Sequence, residues 1–181
     1  MRAIAPVAAV AVAAALVLTA CDDGGGTGSS GDSRTDDRGA GRGGAACRID
    51  EVGIEAAASA APAAGDTGTV SFTVTNRGAA CTLDGFPAVT LAAGGTSVKV
   101  PAEQAAQAQK LTLAEDAAVS FTLTYVRGEA GGERSLAVKS AEVALPGASD
   151  TRGFPWSYGE VVLKGEGLPD ASVGPFQQAG D

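Results

Sequence analysis

The sequence predicts an all-β domain, a sandwich of antiparallel sheets built from about seven to nine short strands. Three observations predict it. From Thr69 to Asn76 the apolar residues Val70, Phe72 and Val74 alternate with Thr69, Ser71, Thr73 and Thr75, the two-residue period of a half-buried strand. Val119, Phe121, Leu123 and Tyr125 repeat that period against Ser120, Thr122 and Thr124. Turn signals punctuate the chain at Asn76-Arg77-Gly78, Gly94-Gly95, Gly128 with Gly131-Gly132, and Pro146-Gly147, a spacing that suits short strands with short connections.

In chain order, Val52/Ile54 opens the series and the long alternating strand ending at Asn76 follows. Val89/Leu91, Val98/Val100 and Leu111/Leu113 are shorter runs of the same period, each long enough for one small strand. The second long strand, through Tyr125, comes next, followed by Leu136/Val138, Val143/Leu145 and Val161/Leu163. One helical candidate interrupts the pattern: Ala102 to Gln109, rich in Ala and Gln after Pro101, reads as a single turn of helix in a connection. No internal repeat is evident.

The first 20 residues have the layout of a secretory signal: a basic start at Arg2, an apolar stretch from Ala3 to Val17, and small residues before Cys21. Leu18-Thr19-Ala20-Cys21 reads as a bacterial lipobox, so cleavage is expected after Ala20 and lipidation on the Cys21 thiol. Two or more acyl chains would then hold the protein on the membrane, at about 0.8 kcal/mol per buried methylene. Residues 22–46 contain nine glycines, five aspartates and three arginines, and no apolar residue larger than alanine. Such a segment cannot join a core. It reads as a flexible tether with a mean end-to-end distance of about 25 to 30 Å. The expected organisation is therefore a signal peptide over 1–20, a lipidated cysteine and tether over 21–46, and one domain over 47–181.

That domain carries sixteen acidic and nine basic residues, a formal charge of −7. With no basic cluster it would be repelled by phosphate backbones, which excludes nucleic acid as the expected partner. With Cys21 taken by lipid, Cys47 and Cys81 remain, and two cysteines in an exported domain are expected to form a disulfide. It would staple the first strand to the loop after the second. No Cys-x-x-Cys pair of the redox-active kind occurs.

Catalytic constellations are scarce. The chain has no histidine, which removes Ser-His-Asp and Cys-His activation and the commonest zinc ligand. There is no Ser-x-x-Lys, and no glycine-rich phosphate loop follows a strand and opens a helix. Glu115 and Asp116 are adjacent carboxylates, expected in a solvated hairpin turn where neighbouring side chains diverge. The reading is of a protein that is not an enzyme and needs no cofactor or metal. One surface candidate stands out: Gly153-Phe154-Pro155-Trp156-Ser157-Tyr158-Gly159 places three of eight aromatic residues in a glycine-bounded loop. Phe154, Trp156 and Tyr158 could form a ligand or interface patch, or Phe154 and Trp156 could plug one end of the sandwich.

The string Asn76-x-Gly78 followed by Cys81-x-Leu83-x-Gly85-Phe86-Pro87-x-Val89-x-Leu91, with Cys47 upstream, resembles the domain of unknown function common in exported actinobacterial lipoproteins. Weaker similarity runs through Leu113, Leu145-Pro146-Gly147, Trp156 and Val173-Gly174-Pro175-Phe176. In this motif Gly85 is expected to permit a bend, Phe86 to enter the core, and Pro87 to start the next strand where no ladder donor is needed. The resemblance implies an immunoglobulin-like sandwich, extracellular anchoring by lipid, and no catalytic residues. Two positions depart from it: relatives usually have Leu-x-Pro-Gly where this chain has Leu113-Ala114-Glu115-Asp116, and no further cysteine follows the sixth strand.

Together these features predict a lipoprotein on the outer face of the cytoplasmic membrane, attached through Cys21. Its sandwich would bind another envelope protein. A glycan or small-ligand binder using Trp156 and Tyr158 is the first alternative, and a carboxylate-dependent extracellular hydrolase the second.

Overall fold

A computed structural model describes residues 44–178. The expected signal peptide, Cys21, almost all of the tether and residues 179–181 lie outside the described residues. Within them the chain forms β1 (Val52–Ser59), β2 (Thr67–Asn76), β3 (Cys81–Asp84), β4 (Ala88–Ala93), β5 (Thr96–Lys99), β6 (Lys110–Leu113) and β7 (Ala118–Val126). It continues through β8 (Ser135–Leu136), β9 (Ser140–Ala144), β10 (Thr151–Pro155), β11 (Val161–Gly165), β12 (Leu168–Pro169), β13 (Ala171–Val173) and β14 (Gln177–Gln178). The described residues contain no helix.

The first sheet runs β1-β2-β7, with β13 and β14 both pairing along the far side of β7. A second sheet runs β10-β9-β4-β5, and two small sheets, β12-β11-β8 and β3-β6, complete the fold. Every strand pair in these sheets is antiparallel. Alternation decides what each face does. Val70, Phe72 and Val74 on β2 and Val119, Phe121, Leu123 and Tyr125 on β7 are buried, and their Ser and Thr neighbours form the outer face. Val89 and Leu91 on β4 and Ala141 and Val143 on β9 supply the opposing inner face. Ring contact between Phe72 on β2 and Phe154 on β10, centroids 5.3 Å apart, joins the two principal sheets as a β-sandwich.

Four expectations need correction. There are fourteen strands among the described residues, not seven to nine, because β8, β12 and β14 have two residues and β13 three, too short to display a period. Ala102 to Gln109 forms no helix: Glu103 N–H donates to Val173 O and Val173 N–H to Pro101 O, which ties the segment's start to β13. An eight-residue segment that is largely exposed has little to offset the cost of helix nucleation. Cys81 begins a strand, β3, and is not in a loop.

Phe86 is only half-buried and Pro87 is buried in its place. Parity explains it. Past the bend at Gly85, Pro87, Val89 and Leu91 are the inward positions, so Phe86 shares the outward register with the exposed Ala88. The bend itself occurs where expected, with Gly85 at φ +124° and β4 starting directly after Pro87.

Candidate functional site

The aromatic segment begins as strand and ends as loop. Phe154 and Pro155 belong to β10, and Trp156 N–H extends the pairing by donating to Lys139 O at 2.9 Å. The chain then turns through Gly159 at φ +89°. Trp156 is 8% exposed, its ring set edge-to-face on Tyr125 at 5.0 Å and on Tyr158 at 4.9 Å. Its indole Nε1–H donates to Gly159 O at 2.6 Å, a bond across its own loop. Such a ring is locked inward and cannot lie flat against a ligand. Of the two sequence readings, Trp156 is therefore a plug.

Tyr125 supports that plug from below. Its ring lies over Gly68, the residue opposite it on β2, where an added Cβ would sit 2.6 Å from the ring. Its hydroxyl donates to Tyr158 O at 3.0 Å and accepts from Ala61 N–H at 3.3 Å, which ties the aromatic loop to the segment after β1. Arg127 adds a second tie, donating to Ala61 O and Pro62 O at 2.8 and 2.9 Å while its stem packs against Gly159. Neither Gly68 nor Arg127 stands out in the sequence. Only the cross-strand register brings them here.

Phe154 and Tyr158 remain half-buried, and they border a cleft of about 270 Å³. Val70, Phe72, Ala141, Pro155 and the buried Trp156 also line it, with Ala56 contributed by β1. Apart from polar atoms on the rings, Ser157 supplies the one polar side chain of the lining. The cleft lies between β1, the outer strand of the first sheet, and β10, the outer strand of the second. It exists because the inward series Val52, Ile54, Ala56, Ala58 shrinks along β1: the first two are buried, the alanines exposed. That shrinkage is visible in the sequence once the parity of β1 is known.

Glu115 and Asp116 are both exposed, but in a turn that carries the chain from β6, paired with β3, to β7, paired with β2. It is an inter-sheet turn, not the hairpin expected. The remaining sequence site is in place: Cys47 and Cys81 form a disulfide, with Cα atoms 4.9 Å apart. Beside it, the Arg48 guanidinium donates to the Asp50 carboxylate at 2.9 and 3.1 Å. That hydrogen bond holds the Asp50 carboxyl below its ordinary range and raises Arg48, both groups being fully exposed. No group of three or more Cys, Asp or Glu placed to hold a metal ion occurs among the described residues.

These features define a disulfide-pinned antiparallel β-sandwich with an apolar cleft at its open side. Residues 47–177 match the family described as a domain of unknown function, DUF4232, and this chain belongs to it. No match was found among curated proteins or among solved structures.

Proposed function

We propose that the chain is an exported lipoprotein, anchored through Cys21 to the outer face of the cytoplasmic membrane, whose sandwich is a non-catalytic module that binds another protein of the cell envelope. The observation that carries the binding role is the cleft between β1 and β10, predominantly apolar and rimmed by Phe154 and Tyr158. An apolar pocket beside a sheet edge suits a hydrophobic anchor side chain of a protein partner. A sugar would need several polar groups converging beside an open ring face, whereas Ser157 is the one polar side chain of the lining apart from the rings, and the N–H of Trp156 is already bonded. Carboxylate catalysis draws no support from Glu115 and Asp116, which lie in an exposed turn.

In situ crosslinking of the membrane-bound protein, followed by mass spectrometry, tests the role. A saturable heterologous adduct that a Tyr158→Ala variant forms only weakly is expected, and the absence of any adduct counts against it. Titration with cell-wall glycan fragments, read by the emission of the single Trp156, should give no change at saturation. A saturable shift would transfer the site to a glycan. For the anchor, the mature protein should begin at Cys21 with added diacylglyceryl mass, and Cys21→Ser should release it from the membrane fraction.

A further inference from the structure

β1 is an outer strand, and the hydrogen-bond register identifies which of its backbone groups are unused. Asn76 donates its N–H to Ala117 O and accepts from Asp116 N–H, so its ladder groups point away from β1. Val52, opposite Asn76, therefore belongs to a pair that exchanges no hydrogen bonds. By alternation the N–H and C=O of Ile54, Ala56 and Ala58 also point out of the sheet, while Gly53, Glu55, Ala57 and Ser59 carry the ladder. Arg77 N–H, donating to Glu51 O, fits the same phase.

Both ends of this edge are capped. Arg152 on β10 donates to Val52 O at 3.2 Å and to Ile49 O at 2.8 Å, and Arg127 holds Ala61 O and Pro62 O beyond the other end. Between the two arginines, no hydrogen bond to the outward groups of Ile54, Ala56 or Ala58 occurs among the described residues. Exported sheets ordinarily blunt such an edge with proline, a bulge or inward charge. This one has none: Glu55 is the only charged residue of β1, and it lies on the opposite face from Ala56. Ala56, in the middle of the residues with open ladder groups, is also the β1 residue whose small side chain lines the cleft.

Building on the interaction-module reading, we infer that β1 accepts an added strand: an extended segment of the partner protein pairs along Ile54–Ala58 and places a large apolar side chain in the cleft. Main-chain bonds would supply affinity and the cleft would supply specificity. About 270 Å³ lies at the small end of ligand sites and suits a side chain or two. The chain's own tether cannot fill it, having no apolar residue larger than alanine. A second copy pairing through its own β1 would offer only Ala56 and Ala58, from a domain of formal charge −7 that repels its like. The fitting strand is apolar at alternate residues and carries no net negative charge.

Random dodecapeptides displayed on phage, panned against the mature full-length protein in detergent, test this. Enriched peptides should show apolar residues at every second position and slow amide exchange at Ile54, Ala56 and Ala58. Ala56→Pro deletes one outward N–H without touching the β1–β2 ladder, a place where an edge strand tolerates proline. Ala56→Lys keeps the backbone and places a charge at the mouth of the cleft. Each should weaken binding by at least about tenfold, whereas Ala57→Lys, on the outer face, should leave it unchanged. Binding indifferent to both Ala56 variants, or no enriched peptide, overturns strand addition; envelope adducts in the crosslinking experiment would still uphold the interaction module. A dimer of the wild-type protein that Ala56→Pro dissolves would assign the edge to a second copy and overturn the partner strand.

Discussion

Asn76 is fully buried, and its amide organises the crossing between the sheets. Nδ2 donates toward Ala79 O, Leu113 O and Ala114 O at 2.9 to 3.3 Å, and Oδ1 accepts from Gly78 N–H at 3.1 Å. Replacing it removes all four bonds and leaves a gap beside the buried Leu113 carbonyl. Asn76→Ala should cost about 3 kcal/mol and lower Tm by roughly 10 °C, read by thermal denaturation. The sequence marked Asn76 only as a turn signal, since nothing local says which distant carbonyls its amide will meet. Asp116, at φ +62°, is the one non-glycine residue with positive φ among the described residues. Asp116→Gly should therefore stabilise by about 1 kcal/mol, because the left-handed conformation is cheap without a Cβ. A lower Tm would show that the Asp116 side chain contributes more than its backbone strain costs.

At the scale of elements, β2 and β7 were legible because each buries one face and exposes the other over four or more alternations. The pieces β8, β12, β13 and β14 were not: a strand of two or three residues is defined by its partner's hydrogen bonds, not by its own pattern. Gly68 illustrates the same limit. In sequence it merely precedes the alternating run that begins at Thr69; in the fold it is the gap that lets the Tyr125 ring cross β2 and reach Ala61. A Cβ there would also lie 2.7 Å from Ala61 N, so Gly68→Ala must displace ring or backbone. It should destabilise by about 2 kcal/mol or more, and red-shift Trp156 emission as the aromatic loop loosens. Melting together with emission separates loosening of the loop from simple loss of stability.

For the whole molecule, the disulfide constrains the unfolded chain as well as the fold. It joins residues 34 apart in sequence, which in a chain-entropy treatment contributes about 3 to 4 kcal/mol, so Cys47→Ser with Cys81→Ser should lower the melting point by roughly 10 °C. Acid response follows from composition and one pair. Without histidine, no side chain of ordinary pKa changes charge between about pH 6 and 8, and stability should be flat there. Asp50, held low by Arg48, contributes stability that is present above the ordinary carboxylate range and lost as pH falls below it. Its full exposure keeps that contribution small. A sharp transition near neutral pH would contradict this account. The sequence by itself determined the all-β class, the disulfide and the two central strands, because two-residue periodicity and cysteine count are properties of the chain read in order. Tertiary structure alone decided that Trp156 is a plug, that Phe86 faces outward and that Ala56 lies beside an open cleft. Each depends on register between strands distant in sequence, and a register shift of one residue exchanges inside for outside.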